Sequence, residues 1–221
     1  MPASKRLVLA SNSPRRRELL TLTGWTFSVS PADIDETPRP GENSFDYVSR
    51  LSREKAHACP EKTADIVLAA DTIVVDGEEL LGKPEYRSDA FRMLRKLRGH
   101  KHRVMTAIVI FDRETGKVEQ DVCVTTVPMR NYSDAEILSY VESDDPMDKA
   151  GAYAIQHAGF HPVENFNGCF ASVMGLPLCH LRRLAGNFGM DVSQNLVSTC
   201  ERINDYTCPI HQLVESGIRI G

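Results

Sequence analysis

A chain of 221 residues, 42% hydrophobic and 25% charged, suffices for one large folded domain or for two lobes around a cleft. A formal charge of −4 and a pI near 6.0 exclude the basic surplus of a protein that coats a nucleic acid polymer. No apolar run approaches the ~20 residues that span a bilayer, and MPASKRLVLASNSPRR lacks the apolar segment of a secretory signal, so a cytoplasmic protein that engages no membrane is expected.

In chain order, residues 7–10 read as a short apolar strand. Ser13 then suits a helix N-cap, Pro14 the first helical position, and Leu19, Leu20 and Leu22 the apolar stripe. Arg15, Arg16 and Arg17 crowd the first turn of that helix, where the unpaired amide N–H groups already carry partial positive charge. Each arginine there is unfavourable by roughly 0.3–1 kcal/mol unless an anion arrives. A phosphate removes the conflict, and guanidinium forks match its oxygens; a solvated basic helix end is the plainer alternative.

Residues 25–29 form a possible second strand, followed by a loop rich in proline and acid over 31–43 that carries Asp35 and Glu36. Asn43 or Ser44 caps a helix running to about Ala58, with Phe45, Val48 and Leu51 on one face. Lys55, four residues beyond Leu51, lies on or beside that stripe; a snorkelling lysine explains it as well as a functional one. Residues 65–75 are strongly strand-like, and Asp76-Gly77 marks a hairpin turn. Within IVLAADTIVV, Asp71 shares a face with Val67, Ala69, Ile73 and Val75. A buried carboxylate needs a cation, a metal or hydrogen-bond donors, which points to metal binding or general-base work, with a strand-end hydrogen bond as the alternative.

Ser88 starts a helix through Phe91, Leu94 and Leu97 that Gly99 stops. Residues 104–111 and 118–127 pair as a ribbon across the polar turn 112–117, and Ser133 with Glu136 forms a capping box for a helix to about Val141. A long polar loop over 142–162 contains Lys149, Gly151, Tyr153 and Gln156, and the Gln156 amide suits a nucleobase edge because it donates and accepts together. Residues 168–173 read as a last strand, and Pro177 opens a helix to about Ala185. Residues 187–221 carry a weaker pattern, with one helix around 192–203 in a docked extension or tail. The expected fold is therefore α/β, a mixed twisted sheet with flanking helices rather than a plain doubly wound one.

Six cysteines without a CxxC pair read as reduced, mostly buried thiols, and seven histidines without HExxH as structural or surface residues. Lys83 in LLGKPEY is by itself a surface charge, and that stretch lacks the glycine spacing and the Ser or Thr of a phosphate-binding P-loop. Together, an anion-attracting turn, candidate carboxylates and separated lysines make up the parts of metal-assisted phosphoanhydride hydrolysis.

The ordered set SNSPRR, DE at 35–36, REKA at 53–56, AADTIV at 69–74, GKP at 82–84 and DKAGAYAIQ at 148–156 resembles the Maf family of nucleotide pyrophosphatases over about residues 7–184. That resemblance implies two lobes around a central nucleotide-binding cleft of the Maf and inosine-triphosphatase kind, usually dimeric. It implies a divalent metal, Mg2+ or Mn2+, and a nucleoside triphosphate substrate cleaved to the monophosphate and pyrophosphate. The KAGAYxIQ form resembles the branch acting on dTTP, UTP and modified pyrimidine nucleotides rather than on 7-methyl-GTP. Carried over motif by motif, Asp71 is the proton acceptor and holds metal with Glu36; Ser13, Arg16, Lys55 and Lys83 grip phosphates; Arg15, Thr72 and Gln156 occupy specificity positions. A nucleotide-binding regulator of cell division is the alternative that the family's association with septum formation implies. The stretch 157–167 is bulkier than the family pattern, and 187–221 is set apart as a C-terminal extension beyond a domain at 1–186.

Overall fold

The computed structural model describes residues 5–218 and 221. Strand β1 (Leu7–Leu9) leads through the Ser13 cap into α1 (Pro14–Thr21), and β2 (Phe27–Val29) returns beside β1. Helix α2 (Ser44–Ala58) is capped by the Asn43 side chain, which accepts from Asp46 N at 2.9 Å. It precedes the long strand β3 (Ile66–Asp76), which turns at Gly77 into the short β4 (Glu79–Leu81). Helix α3 (Arg87–Leu97), the ribbon β5 (Lys101–Asp112) and β6 (Val118–Pro128), and α4 (Asp134–Glu142) follow, the last with the expected capping box between Ser133 and Glu136. The sheet runs β2-β1-β3-β5-β6, with β4 added to β3; β1 is parallel to both its neighbours, and β3, β5 and β6 are antiparallel, so it is mixed.

Strand alternation sets the layers. Val67, Ala69, Ile73 and Val75 of β3 face α2, packing with its Ala56 and Val48. Ile66, Leu68 and Ala70 face the other way, against Leu19 and Leu20 of α1, whereas Val74, further along the same face, packs with Leu94, Leu97 and Ile137 of α3 and α4. On each face the apolar core is thus interrupted in the middle of β3, between Ala69 and Ile73 on one side and between Ala70 and Val74 on the other. Asp71 and Thr72 fill those two interruptions.

Three expectations need correction. Residues 168–173 are not a strand: α5 (Phe170–Met174) is a short helix that buries Ala171 and Met174, three apart, and ends at Gly175 in the left-handed region. So brief an apolar run fits either period, and only its packing decides. Residues 142–162 are not one irregular loop but contain two 3-10 turns, Asp145–Asp148 and Ala150–Ala152. After α6 (Leu178–Gly186), the C-terminal segment forms two helices, α7 (Leu196–Asn204) and α8 (His211–Glu215), rather than one. Leu196, Ile210 and Val214 are buried in the same core as β1 and α6, so this extension is docked. Among the described residues no helix is long and apolar enough to cross a membrane.

Candidate active site

Register explains why Asp71 and Thr72 are reachable. Strand β1 pairs with β3 only as far as Leu9 opposite Leu68, and along β3 the pairing with β4 starts only at Val74, opposite Leu81. Between them one edge of β3 has no strand beside it, and the chain leaving β1 turns there into the N-terminus of α1. Groups from both faces of the sheet therefore meet at one gap.

On the α2 face, Lys55 Nζ is bonded to Asp71 and lies 2.7 Å from Glu36 Oε1. Asp71 is 6% exposed, and burial pushes its carboxyl above the ordinary carboxylate range; the Lys55 and Arg16 charges work against that, and Glu36 adds to it. Glu36 arrives on a loop fixed to α2: Tyr47 Oη donates to the Glu36 carbonyl at 2.6 Å. Arg50 also donates to Glu42 at 2.6 and 2.8 Å and to the Thr37 carbonyl at 3.2 Å. The Arg50 fork holds the Glu42 carboxyl down to about 2.

Across the gap, Ser13 Oγ accepts from Arg16 N at 3.4 Å, as the N-cap pattern predicts. The Arg16 guanidinium spreads over three partners, donating from Nε to the Gly175 carbonyl at 2.9 Å, from Nη1 to Ser11 Oγ at 3.2 Å and from Nη2 to Thr72 Oγ1 at 3.0 Å. Thr72 in turn lies 3.0 Å from Thr106 Oγ1, which donates to the Ser172 carbonyl at 2.8 Å, so one directed chain of hydrogen bonds runs from Arg16 to α5. Burial draws the Arg16 guanidinium below its ordinary value, with the Asp71 charge opposing, yet the group stays cationic. Gly175, at φ +110, allows the approach: a Cβ there would stand 3.1 Å from Arg16 Nε.

The other sequence candidates stand at the rim. Arg15 Nη1 lies 3.2 Å from Asp148 Oδ2 on the first 3-10 turn. Lys83 is exposed after β4, its neighbour Gly82 accepting from Gly151 N at 3.0 Å, and Gln156 is exposed after the second turn. Neither Lys83 nor Gln156 makes a side-chain hydrogen bond or ion pair to another described residue. Thus Asp71, Glu36 and Lys55 form one contact group, Ser13, Arg16 and Thr72 a second, and Arg15 a third.

The residues 6–188 match the family described as Maf-like protein. The chain belongs to the Maf family. A Maf relative from Hahella chejuensis, named dTTP/UTP pyrophosphatase, is 45% identical over 195 residues, 86% of this chain and 96% of that one. Relatives of the same name from Anaeromyxobacter dehalogenans and Geobacter sulfurreducens are 50% and 47% identical, covering 83% and 80% of this Maf chain and 94% and 93% of theirs. Among solved structures, the Staphylococcus aureus Ham1 protein aligns over 97% of this chain and 100% of that one, with 13% identity and a TM-score of 0.44.

Sequence reasoning missed Ser11, Thr106 and Asp148. Thr106 left a signal, a hydroxyl inside the apolar run VMTAIVIF, and Asp148 opens the motif DKAGAYAIQ but was given no role of its own there. Ser11 opens the motif SNSPRR without a role assigned to it, and the Gly175 carbonyl left no signal, because only the fold brings it to Arg16. A groove of about 890 Å3 lies outside α2, but its lining charges Arg39, Glu42, Arg50 and Glu54 pair with one another, and Asp71 is not part of it.

Among the described residues no three or more His, Cys, Asp or Glu side chains gather in a way that holds a metal ion unaided. Asp71 and Glu36 instead bracket the single Lys55 ammonium from two sides. Two carboxylates completed by substrate phosphate oxygens and water are a donor set that fits Mg2+ or Mn2+.

Proposed function

We propose that this Maf protein is a nucleoside triphosphate pyrophosphatase that clears dTTP, UTP and modified pyrimidine nucleotides from the nucleotide pool, giving the monophosphate and pyrophosphate. The observation that carries the reading is the pairing of Asp71 and Glu36 with Lys55 at the uncovered edge of β3, with Arg16 hydrogen-bonded to Thr72, the next residue of that strand. Relatives at 45–50% identity that bear the name dTTP/UTP pyrophosphatase support it.

In this reading the triphosphate tail lies in the gap between the N-terminus of α1 and α2. Ser13, Arg16 and the free amides of the α1 turn hold phosphate oxygens, with Lys55 and Lys83 supplying further positive charge. Asp71, whose burial makes it more basic than an ordinary aspartate, orients a water and takes its proton. The water oxygen bonds to the α-phosphorus, the α,β bridging bond breaks and pyrophosphate leaves. Asp71 and Glu36 are the residues that would hold a divalent cation, which when bound neutralises charge on the phosphates. Gln156 and Arg15 stand at the rim on the 3-10 turn side, and Gln156 is assigned the pyrimidine edge, while Thr72 orders Arg16 by accepting from its Nη2.

Incubation of the purified protein with dTTP or UTP and Mg2+, with products resolved, tests this reading. Pyrophosphate and monophosphate are expected, and orthophosphate release would reject it. Asp71→Asn should lower kcat on the order of 10²–10⁴-fold with the fold intact. A nucleotide-binding regulator of cell division that needs no turnover is not favoured; it would keep its cellular effect in that variant. A homodimer in the cytoplasm is proposed on the family resemblance, and sedimentation at two concentrations tests the dimer.

A further inference from the structure

A line of contacts connects Arg15, at the N-terminus of α1, to the segment that ends in Gln156. Asp148 offers Oδ2 to Arg15 Nη1 at 3.2 Å and Oδ1 to Lys149 Nζ at 2.7 Å. Lys149 is 7% exposed, and its ammonium also meets Asp145 Oδ1 at 2.9 Å and the Asp145 carbonyl. Asp145 Oδ2 accepts from Tyr140 Oη at 2.6 Å, and Tyr140 Oη accepts from Ala154 N at 3.0 Å, two residues before Gln156. The residue at the outer end, Asp148, has a side chain 58% exposed, whereas the Arg15 side chain is only 22% exposed.

An ion pair so open to water adds little to stability, by the general behaviour of surface pairs. Its constancy of position is another matter: the Asp148 carboxylate is pinned from behind by a buried lysine that is itself fixed by Asp145. Arg15 carries four rotatable side-chain torsions, and a fixed carboxylate removes most of that freedom before any ligand arrives. The carboxylate also repels an incoming phosphate. Such a charge beside an anion site is tolerable where it aims the cation that meets the anion.

We propose that Asp148 is a positioning residue, holding Arg15 in the direction from which it meets the triphosphate and coupling that arginine to the Gln156 segment through Lys149, Asp145 and Tyr140. The inference rests on the nucleotide reading above, and it predicts an effect on binding more than on the chemical step.

The test is a double-mutant cycle on Arg15→Ala and Asp148→Asn, read twice: as KM and kcat for dTTP, and as calorimetric affinity for inorganic tripolyphosphate, which needs no turnover. Asp148→Asn alone should raise KM and weaken tripolyphosphate about three- to tenfold while moving kcat less, as expected when preorganisation is lost. In the Arg15→Ala background the same change should have less than about a twofold effect, because its target is gone. Asp148→Glu should restore part of the loss, which a purely structural aspartate would not require. Tighter tripolyphosphate binding by Asp148→Asn would mean that the carboxylate competes with phosphate, and would overturn the proposal, as would losses that multiply independently in the double variant. Failure of the wild-type protein to release pyrophosphate from dTTP strikes the nucleotide reading, while the tripolyphosphate cycle judges the role of Asp148 separately.

Discussion

Gly151→Ala is the substitution whose cost the structure lets one work out from separate parts. Gly151 sits at φ +69 and ψ 8, in the left-handed region that an alanine adopts at a cost of about 1 kcal/mol. A Cβ added there would stand 3.0 Å from both methyls of Val74 and 3.2 Å from its Cβ. Val74 is 2% exposed on the central strand β3, and a β-branched side chain so enclosed has no other rotamer to move to, so overpacking adds about 1–3 kcal/mol. The sum is about 2–4 kcal/mol of lost stability, read by urea unfolding at neutral pH. In a Val74→Ala background both methyl contacts are gone and only the 3.2 Å approach to the Cβ is left, so Gly151→Ala should then cost markedly less, close to the backbone part of about 1 kcal/mol. Equal costs in the two backgrounds would refute the reasoning. Because Gly151 N donates to the Gly82 carbonyl at 3.0 Å, the same change shifts the Lys83 segment and should raise KM for dTTP.

Arg16→Ala should weaken nucleotide binding and also lower stability by about 1–3 kcal/mol, because it takes three hydrogen bonds, to the Gly175 carbonyl, Ser11 Oγ and Thr72 Oγ1, out of a half-buried site; a KM effect with unchanged urea midpoint would contradict those bonds. His102 is 3% exposed with Nε2 2.8 Å from Tyr153 Oη, and burial, aided by the His100 charge, holds it down to about 4. Between pH 6.5 and 4 the unfolded chain takes up a proton that the fold refuses, so stability should fall as pH drops through that window, by about 3 kcal/mol in all. His102→Gln should remove that share of the slope, and an unaltered pH profile would disprove it. Chelating divalent metal should abolish turnover while leaving the circular dichroism unchanged, since Asp71 and Glu36 are both paired with Lys55 without a metal; unfolding on chelation would show a structural ion instead.

The sequence by itself determined what depends on neighbours within a few residues. Ser13 and Pro14 announce the start of α1 because a cap and its amide lie three residues apart, and Ser133 with Glu136 does the same for α4. Alternation placed Asp71 on the face of Val67 and Ile73, and helical spacing placed Lys55 on the inner edge of α2, so their meeting followed once α2 packed on that face. The tertiary structure alone decided where β3 would lie uncovered, because the lengths of β1 and β4 and their register are set by pairing between distant segments. It also decided that Arg16 reaches through to Thr72 and Gly175, that Arg15 finds Asp148 rather than solvent, and that 168–173 coils instead of extending. Those partners are 56 to 159 residues apart. Nothing in the local pattern of an arginine says which distant carbonyl or carboxylate will receive it.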